Sequence, residues 1–173
     1  MFDINAITAK VEGAFRDAAN DTLATMSERI FIDGGNSAGG KIGEYSVKPY
    51  YANPKTSPTA TNKTGKTGKT IQGGYYKGGY KEFRAQQGRE SGFINQRLTN
   101  NLQSDFNNAE SGFVLQQTGD LTYSIVIDRP ENIRKIEGQE KRFGPIFTEL
   151  TKDEELLMLQ SLEFNLNNRF KTL

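Results

Sequence analysis

One long amphipathic helix is predicted by residues 4–30, which read INAITAKVEGAFRDAANDTLATMSERI. Apolar residues recur mostly every three or four positions, which places them on one helix face. The members of this stripe are Ile4, Ile7, Val11, Phe15, Ala18, Leu23, Met26 and Ile30. Asp3 precedes the stripe as the N-cap, because its carboxylate can accept free amide protons of the first turn. The residues Asp33-Gly34-Gly35-Asn36 end the helix, and we expect the stripe to pack into the core.

A second helix is predicted near the C-terminus, where Thr151-Lys152-Asp153-Glu154 fits a capping box. In such a box the Thr hydroxyl accepts from the amide of the third helical residue, whose carboxylate bonds back to the cap. Acids at Asp153, Glu154 and Glu155 also suit the positive end of the helix dipole. The helix should end near Phe170. Its apolar face consists of Leu156, Leu157, Leu159, Leu162, Phe164 and Leu166.

Three successive β-strands are predicted between these helices, at residues 102–106, 113–117 and 121–127. In the third of these ranges, residues 121–127, Tyr123, Ile125 and Ile127 alternate with Thr122, Ser124 and Val126. This alternation is typical of a strand with one strongly buried face. Residues 107–112 and 118–120 contain the turn formers that would join the strands. Such short connections predict an antiparallel meander.

The fold class expected from these elements is α+β. A small antiparallel sheet, the meander, would be packed by the long N-terminal helix and the C-terminal helix within one domain of residues 1–173. Pro130 ends the last strand, and a further helix is predicted over residues 132–139. Residues 78–105 should run over the surface as an extended strip, with residues 93–98 forming a short helix or a short strand.

A basic arm is predicted within this domain at residues 45–81, most of it in a long loop between residues 34 and 79. The arm holds seven lysines and no acidic residue, so it carries +7 in a chain of net charge +1 and leaves −6 for the remainder. Its tract of residues 61–70 repeats Thr-Gly-Lys and has no apolar residue to bury. Two interpretations stay open: a solvated loop, or a contact with DNA phosphates or acidic faces of neighbouring subunits.

The composition argues against an enzyme. The chain has no cysteine and no histidine, so it lacks a thiolate and the commonest general base near neutral pH. Residues 65–70 look like a phosphate-binding loop, but Lys63 stands where that motif needs glycine. Helix capping explains the acids at 153–155, and surface ion pairs explain Glu137 and Glu140. We expect no catalytic, cofactor-binding or metal-binding residue, and no membrane contact, since no run of about 18 apolar residues occurs.

Several polar stretches carry a family resemblance through their order along the chain. These stretches are GGYKEFR (78–84), QGR (87–89), LTNNLQSDF (98–106), EGQEKRFGPIF (137–147) and LTKDEE (150–155). Their order resembles that of the virion-morphogenesis and tail-completion proteins of tailed bacteriophages. The third stretch departs from the family's Thr-Gly-Asp-Leu pattern, because Asn100 and Asn101 occupy both inner positions.

The resemblance implies a structural protein of the virion that forms a closed ring at the neck or upper tail and joins the capsid or portal to the tail. It also implies six or twelve copies per ring, adjacent portal, connector or tail proteins, and genomic DNA in the channel. Contacts with subunits or DNA are expected from eight basic residues: Lys55, Lys63, Lys66, Lys69, Lys77, Arg84, Arg89 and Arg142.

Two other functions remain open from the residues alone. One is a nucleic-acid-binding module, in which tyrosines interleaved with the lysines stack on bases. The tyrosines in question are Tyr45, Tyr50, Tyr51, Tyr75, Tyr76 and Tyr80. The other is a small carboxylate-dependent enzyme such as a glycan hydrolase, which needs two opposed acids in a pocket. The spacing of acids in this sequence offers no such pair.

Overall fold

The computed structural model of this chain describes residues 3–52, 63–64, 70–71, 74–97, 101–107, 113–119, 122–127 and 129–171. Within them the fold is α+β, as expected, with a long N-terminal helix packed on the C-terminal helix and small antiparallel sheets. The helices are α1 (Ile4–Ser27), a π-helical turn (Glu28–Asp33), α2 (Gly79–Gln86), α3 (Asn101–Phe106), α4 (Pro130–Phe143) and α5 (Lys152–Phe170). The strands are β1 (Tyr50–Ala52), β2 (Lys63–Thr64), β3 (Thr70–Ile71), β4 (Gly74–Tyr76), β5 (Phe113–Gly119) and β6 (Thr122–Ile127).

Helix α1 begins at the predicted cap and continues into a wider turn. Asp3 Oδ1 accepts hydrogen bonds from Asn5 N at 3.0 Å and from Ala6 N at 3.2 Å. After α1 the chain forms the π-helical turn, which Gly34 ends with a left-handed φ of 65°. A Cβ at Gly34 would lie 2.5 Å from the carbonyl oxygen of Ile94, so this position requires glycine.

The apolar stripe of α1 is buried along the second half of the helix. Its buried members are Ala18, Leu23 and Met26, followed by Ile30 in the π-helical turn. The expectation of core packing is wrong for Ile4, which is 74% exposed. Helix α5, on which α1 packs, ends near Lys10 of α1. The Lys10 Nζ donates to the Arg169 carbonyl oxygen at 2.7 Å. The first turn of α1 therefore extends past the end of the helix that it packs against.

Helix α5 runs antiparallel to α1 and is capped as predicted. Thr151 Oγ1 accepts from Glu154 N at 3.1 Å, and Glu154 Oε2 accepts from Thr151 N at 2.8 Å. At the other end of α5, the Arg169 guanidinium pairs with Asp17 of α1 at 2.5 Å. A Cβ at Gly13 would lie 2.5 Å from Arg169 Nη1, so a glycine lets the arginine approach α1 closely. Polar contacts thus fix both ends of this helix pair.

Residues 101–106 form helix α3, so the prediction of a strand over 102–106 is wrong. Leu102 and Phe106 are 6% and 2% exposed, and the Phe106 ring centroid lies 5.6 Å from that of Phe31. Both belong to the main hydrophobic cluster, whose other buried members are Leu23, Met26, Ile30, Phe31, Ile42, Ile94, Ile136, Ile146 and Phe147. Residues four apart share a face in a helix and also in a strand. The apolar spacing therefore could not distinguish the two structures.

Strands β5 and β6 form an antiparallel hairpin, which confirms the second and third predicted strands. Phe113 lies opposite Ile127 and Gln117 lies opposite Tyr123, with a register shift after Gln117. Alternate residues of β6, beginning with Thr122, are exposed, as the sequence alternation predicted. The sheet has two strands and is not the predicted three-stranded meander, since α3 replaces its first strand. The predicted turn residues 108–112 and 120 lie outside the described residues.

The segments on either side of the hairpin also differ from the predictions. Helix α4 is longer than the predicted 132–139, because Pro130 occupies its first turn, where no amide donor is needed. The extended strip predicted over 78–105 is wrong in its first part, which forms α2 and buries Phe83. Residues 93–97 form neither a regular helix nor a strand.

Glu140 shapes the connection between α4 and α5. Its Oε1 accepts hydrogen bonds from the backbone amides of Ile146, Phe147 and Thr148 at 3.1, 2.8 and 3.0 Å. The interpretation of Glu140 as a partner in a surface ion pair is therefore wrong. Its carboxylate satisfies backbone donors in a turn whose side chains Ile146 and Phe147 enter the main hydrophobic cluster.

Candidate interaction surfaces

The base of the lysine-rich arm is a two-stranded sheet. Strands β1 and β4 are antiparallel, with Ala52 opposite Gly74, so the intervening chain leaves and returns at one place. Lys77 follows β4 and is exposed, while Lys63 lies in β2 opposite Ile71 of β3. The other predicted contact lysines of the arm, Lys55, Lys66 and Lys69, lie outside the described residues.

The inner face of the β1–β4 sheet packs on α2 through aromatic rings. The centroids of Tyr50, Tyr76 and Tyr80 lie 5.4, 5.1 and 5.6 Å from that of the buried Phe83. Burial raises the pKa of Tyr80, and the positive charge of Arg84 offsets part of this effect. These three tyrosines therefore serve a second, smaller core and are not the solvent-facing stacking groups that the nucleic-acid alternative supposed.

Two tyrosines face solvent on the outer side of the same sheet. Tyr51 and Tyr75 lie opposite each other in register, and each is 63% exposed. Neighbouring residues of a strand point to opposite faces, which separates Tyr51 from Tyr50 and Tyr75 from Tyr76. Lys48 and Lys77 adjoin the ends of the two strands and are both exposed. We call Tyr51 and Tyr75 the tyrosine pair.

Arg84 was predicted to contact a second molecule, but its guanidinium lies inside the chain. The residue is 1% exposed, and its Nε donates to the Glu90 carbonyl oxygen at 2.7 Å. Its Nη2 donates to Asn95 Oδ1 at 3.0 Å and to the Arg97 carbonyl oxygen at 3.1 Å. The guanidinium carbon also lies 4.2 Å from the centroid of the Tyr45 ring. Arg84 therefore fixes the loop that follows α2.

Arg89 lies at the end of α2 in a region of concentrated positive charge. Its Nε donates to Gln87 Oε1 at 3.1 Å, whereas the buried Gln87 Nε2 has no hydrogen-bond partner within the described chain. Burial lowers the pKa of Arg89, and the charges of Arg84 and Arg97 lower it further. No ion pair between these arginines and a carboxylate occurs among the described residues. Arg89 is half-buried, so its availability as a contact residue stays a prediction.

Arg142 is exposed near the C-terminal end of α4, and its guanidinium carbon lies 5.0 Å from the ring centroid of Phe143. A cation in the last turn suits the negative end of the helix dipole. Because the side chain is exposed, a contact between Arg142 and another molecule is sterically possible. That contact stays a prediction.

Helix α5 carries an apolar face that no described element covers. Its members are Leu156, Leu157, Leu159 and Phe164, which are 55%, 48%, 58% and 64% exposed. The side of α5 that contacts α1 carries Ser161 and Arg169, which bond to Asp21 and Asp17 of α1, and Glu154, which bonds to Arg29 of the π-helical turn. The sequence predicted the apolar residues of this helix but not which of them α1 would leave exposed. We call the four residues the exposed α5 face.

Metal sites and membrane spans were sought among the described residues. In that part of the chain, no group of three or more acidic, histidine or cysteine side chains is placed to hold a metal ion. None of the helices described above combines the length and the apolar character that crossing a bilayer requires.

Comparisons with known proteins give no match: none with the protein-family models, none with curated proteins and none with solved structures. The family resemblance thus depends on the motifs, whose positions in the fold are now defined. GGYKEFR opens α2 and QGR follows its last turn, EGQEKRFGPIF ends α4, and LTKDEE caps α5. These four stretches lie at helix ends, where unpaired backbone groups need partners.

The structural roles of two residues, Asn95 and Glu140, were not predicted from the sequence. Asn95 Oδ1 accepts from Arg84, from the Tyr45 hydroxyl at 3.2 Å and from the Arg97 amide at 3.3 Å. A single asparagine in an irregular segment carries no signal of such a role. Glu140 did carry a usable signal, because an acid close to Phe-Gly-Pro stands where a reversal of the chain leaves amides unpaired.

Proposed function

We propose that this chain is a structural protein of a tailed-bacteriophage particle. It would form a closed ring at the neck or upper tail and join the capsid or portal to the tail. The order of the motifs supports this proposal, and the structural observation that carries it is the exposed α5 face. Four large apolar side chains, 48% to 64% exposed, lie on one helix. Several large, exposed apolar side chains on one element are typical of an interaction surface.

The arrangement of the exposed α5 face suits a contact with another subunit. Leu157 and Phe164 are two helical turns apart on one stripe, and Leu156 and Leu159 are one turn apart on the adjacent stripe. Because α1 packs on the side of α5 that carries Ser161 and Arg169, a second molecule can cover these four residues without disturbing the α1–α5 pair.

The free energy available from this face limits what it can do alone. Full burial of a large apolar side chain contributes about 1.5–3 kcal/mol, and these four are already about half covered. Their burial in a contact would therefore contribute about 3–6 kcal/mol, while association costs at least about 4 kcal/mol. A stable ring needs further contacts, which the charged surfaces can supply.

A closed ring needs two different surfaces on each subunit, one complementary to the other. We assign the exposed α5 face and its acids, Asp153, Glu155 and Glu163, to one surface. All three acids are exposed. The other surface would include the basic arm and Arg142, since the arm carries +7 and the remainder of the chain −6. Opposite charges would then set the register between neighbouring copies. The role is assembly rather than catalysis.

Sedimentation velocity on the full chain and on variants of α5 tests this interface. Leu157→Glu and Phe164→Glu place a charge on the exposed α5 face and should turn the ring into monomers with an unchanged circular dichroism spectrum. Ile4→Glu is the matched control, because Ile4 is 74% exposed, belongs to neither of the two assigned surfaces and should retain the ring. Variants that assemble like the wild type would exclude this face from the interface.

The arm can be tested separately. Deletion of residues 55–72 should leave the α1–α5 pair intact, because none of the contacts of that pair involves the arm. If the arm clamps neighbouring proteins or faces the DNA channel, the deletion should reduce joining of capsids to tails. If capsids and tails joined as they do with the wild-type chain, the arm would have no role in joining them.

A further inference from the structure

We propose that the outer face of the β1–β4 sheet binds single-stranded nucleic acid. Bases would stack on the tyrosine pair, and the exposed Lys48 and Lys77 beside it would contact the phosphates. This site lies at the base of the arm and is distinct from the exposed α5 face.

The geometry of the tyrosine pair provides the stacking platform. Tyr51 and Tyr75 are directly opposite on antiparallel strands, and each is 63% exposed. Cβ atoms of directly opposed residues are about 4.5–5.5 Å apart, so the two side chains leave the same face of the sheet side by side. Every base has a π-face, so such a surface accepts bases without regard to sequence.

Packing on the inner face of the β1–β4 sheet holds the tyrosine pair in place. On the inner face of the same strands, the rings of Tyr50 and Tyr76 pack against Phe83 of α2 at centroid distances of 5.4 and 5.1 Å. Ala52, at the end of β1, is fully buried in the same cluster. A strand fixed by its inner side chains holds its outer rings in place, which reduces the entropy lost on binding.

The charge around the platform favours a polyanion. Lys48 and Lys77 are exposed beside the strand ends, and no acidic residue occurs between Tyr45 and Lys81. The nearest acid along the chain after β4 is Glu82, whose Oε2 is engaged by the Gly78 amide at 2.7 Å. An acidic peptide would use the lysines but would leave both rings unused. Nucleic acid uses the rings and the lysines together, so it is the occupant to which we commit.

Fluorescence anisotropy with a labelled oligothymidine on the full chain tests the proposal. Tyr51→Ala and Tyr75→Ala should each weaken binding about tenfold, the typical loss when one stacking ring is removed. Tyr51→Phe keeps the ring and should bind like the wild type. Val47→Ala removes a comparably exposed apolar side chain from the adjacent segment and should also leave the affinity unchanged. Affinity should fall steeply as salt rises, because the lysines displace counterions.

Three results would overturn the proposal. The first is a wild-type chain that does not bind the oligothymidine in low salt. The second is alanine variants that bind as tightly as the wild type. The third is that duplex DNA or polyglutamate binds as tightly as the oligothymidine, and that neither alanine change weakens this binding. That result would indicate binding through charge alone. Sedimentation of the same tyrosine variants separates a loss of nucleic-acid binding from a failure of ring assembly. Both alanine variants should retain the oligomeric state of the wild type.

Discussion

Arg29 Nε lies 2.7 Å from Glu154 Oε1, and this ion pair joins the π-helical turn after α1 to the first turn of α5. The side chains of Arg29 and Glu154 are 11% and 3% exposed. The other oxygen of the same carboxylate accepts the Thr151 amide at 2.8 Å. One buried side chain therefore completes the helix cap and fixes α5 against the N-terminal helix.

Glu154→Gln should destabilise the fold by about 3 kcal/mol, because it leaves the buried Arg29 without its counter-charge while retaining an amide oxygen for the cap. Urea unfolding followed by circular dichroism measures the change. Glu155→Gln, one residue along on the exposed side of the same helix, should change the free energy of unfolding by less than about 0.5 kcal/mol. Equal effects of the two changes would contradict a structural role for the ion pair.

Glu140→Ala should cost about 2 kcal/mol, because three backbone amides and the Thr148 hydroxyl lose their acceptor. Glu137→Ala is the control: it lies one turn earlier on α4, is exposed and should be nearly neutral. Hydrogen exchange should show faster exchange at Ile146 and Phe147 in the Glu140 variant alone. Unchanged exchange at these amides would show that the carboxylate does not hold the turn.

Two glycines should respond to alanine in opposite directions. Gly79 has a φ of 76°, and a Cβ there would lie 2.5 Å from the carbonyl oxygens of Ser46 and Lys48. Gly79→Ala should therefore destabilise the chain by more than about 1 kcal/mol. Apart from the adjoining backbone of α4, no atom of the described residues lies within 4 Å of a Cβ built at Gly138, so Gly138→Ala should stabilise by about 0.5–1 kcal/mol. Thermal unfolding midpoints that shift in the same direction would contradict this account.

Stability should fall at alkaline pH. Burial raises the pKa of Tyr45 and of Tyr80 in the folded chain. A raised pKa means that folding favours the neutral phenol, so this contribution is complete below the unfolded pKa of about 10 and is lost as pH rises through the folded value. Urea midpoints should decline between about pH 9 and pH 11, and less so in Tyr80→Phe. A decline of the same size in Tyr80→Phe would assign the effect to other groups.

Helix caps were predictable because they depend on a few residues close together in the chain. Asp3 accepts two amides of the first turn of α1, and Thr151 with Glu154 closes the capping box of α5. Side-chain chemistry and spacing alone determine such contacts. The same holds for the alternation in β6, whose period of two is unambiguous over six residues.

Helix α2 was not predictable, because its stability comes from distant partners. Its sequence begins with glycine and is mostly polar, which is a weak helix signal. The helix forms where Phe83 enters the cluster of Tyr50, Tyr76 and Tyr80, and where Arg84 bonds to the loop that follows. Tertiary packing thus outweighs local propensity in this segment.

The choice of packing face on α5 was likewise invisible in the sequence. Leucines occur around much of the helix, and periodicity does not say which of them a neighbour covers. Helix α1 meets the side that carries Glu154 and Arg169, which leaves Leu157 and Phe164 to solvent. The candidate interface therefore became visible only when the two helices were seen together.

Native mass spectrometry of the purified full chain tests the proposed closed ring most directly. We expect one closed species of six or twelve copies whose size does not change with protein concentration, because a closed ring has no free interface left. A chain that stays monomeric at every concentration, or one that gives an open-ended ladder of sizes, would contradict it.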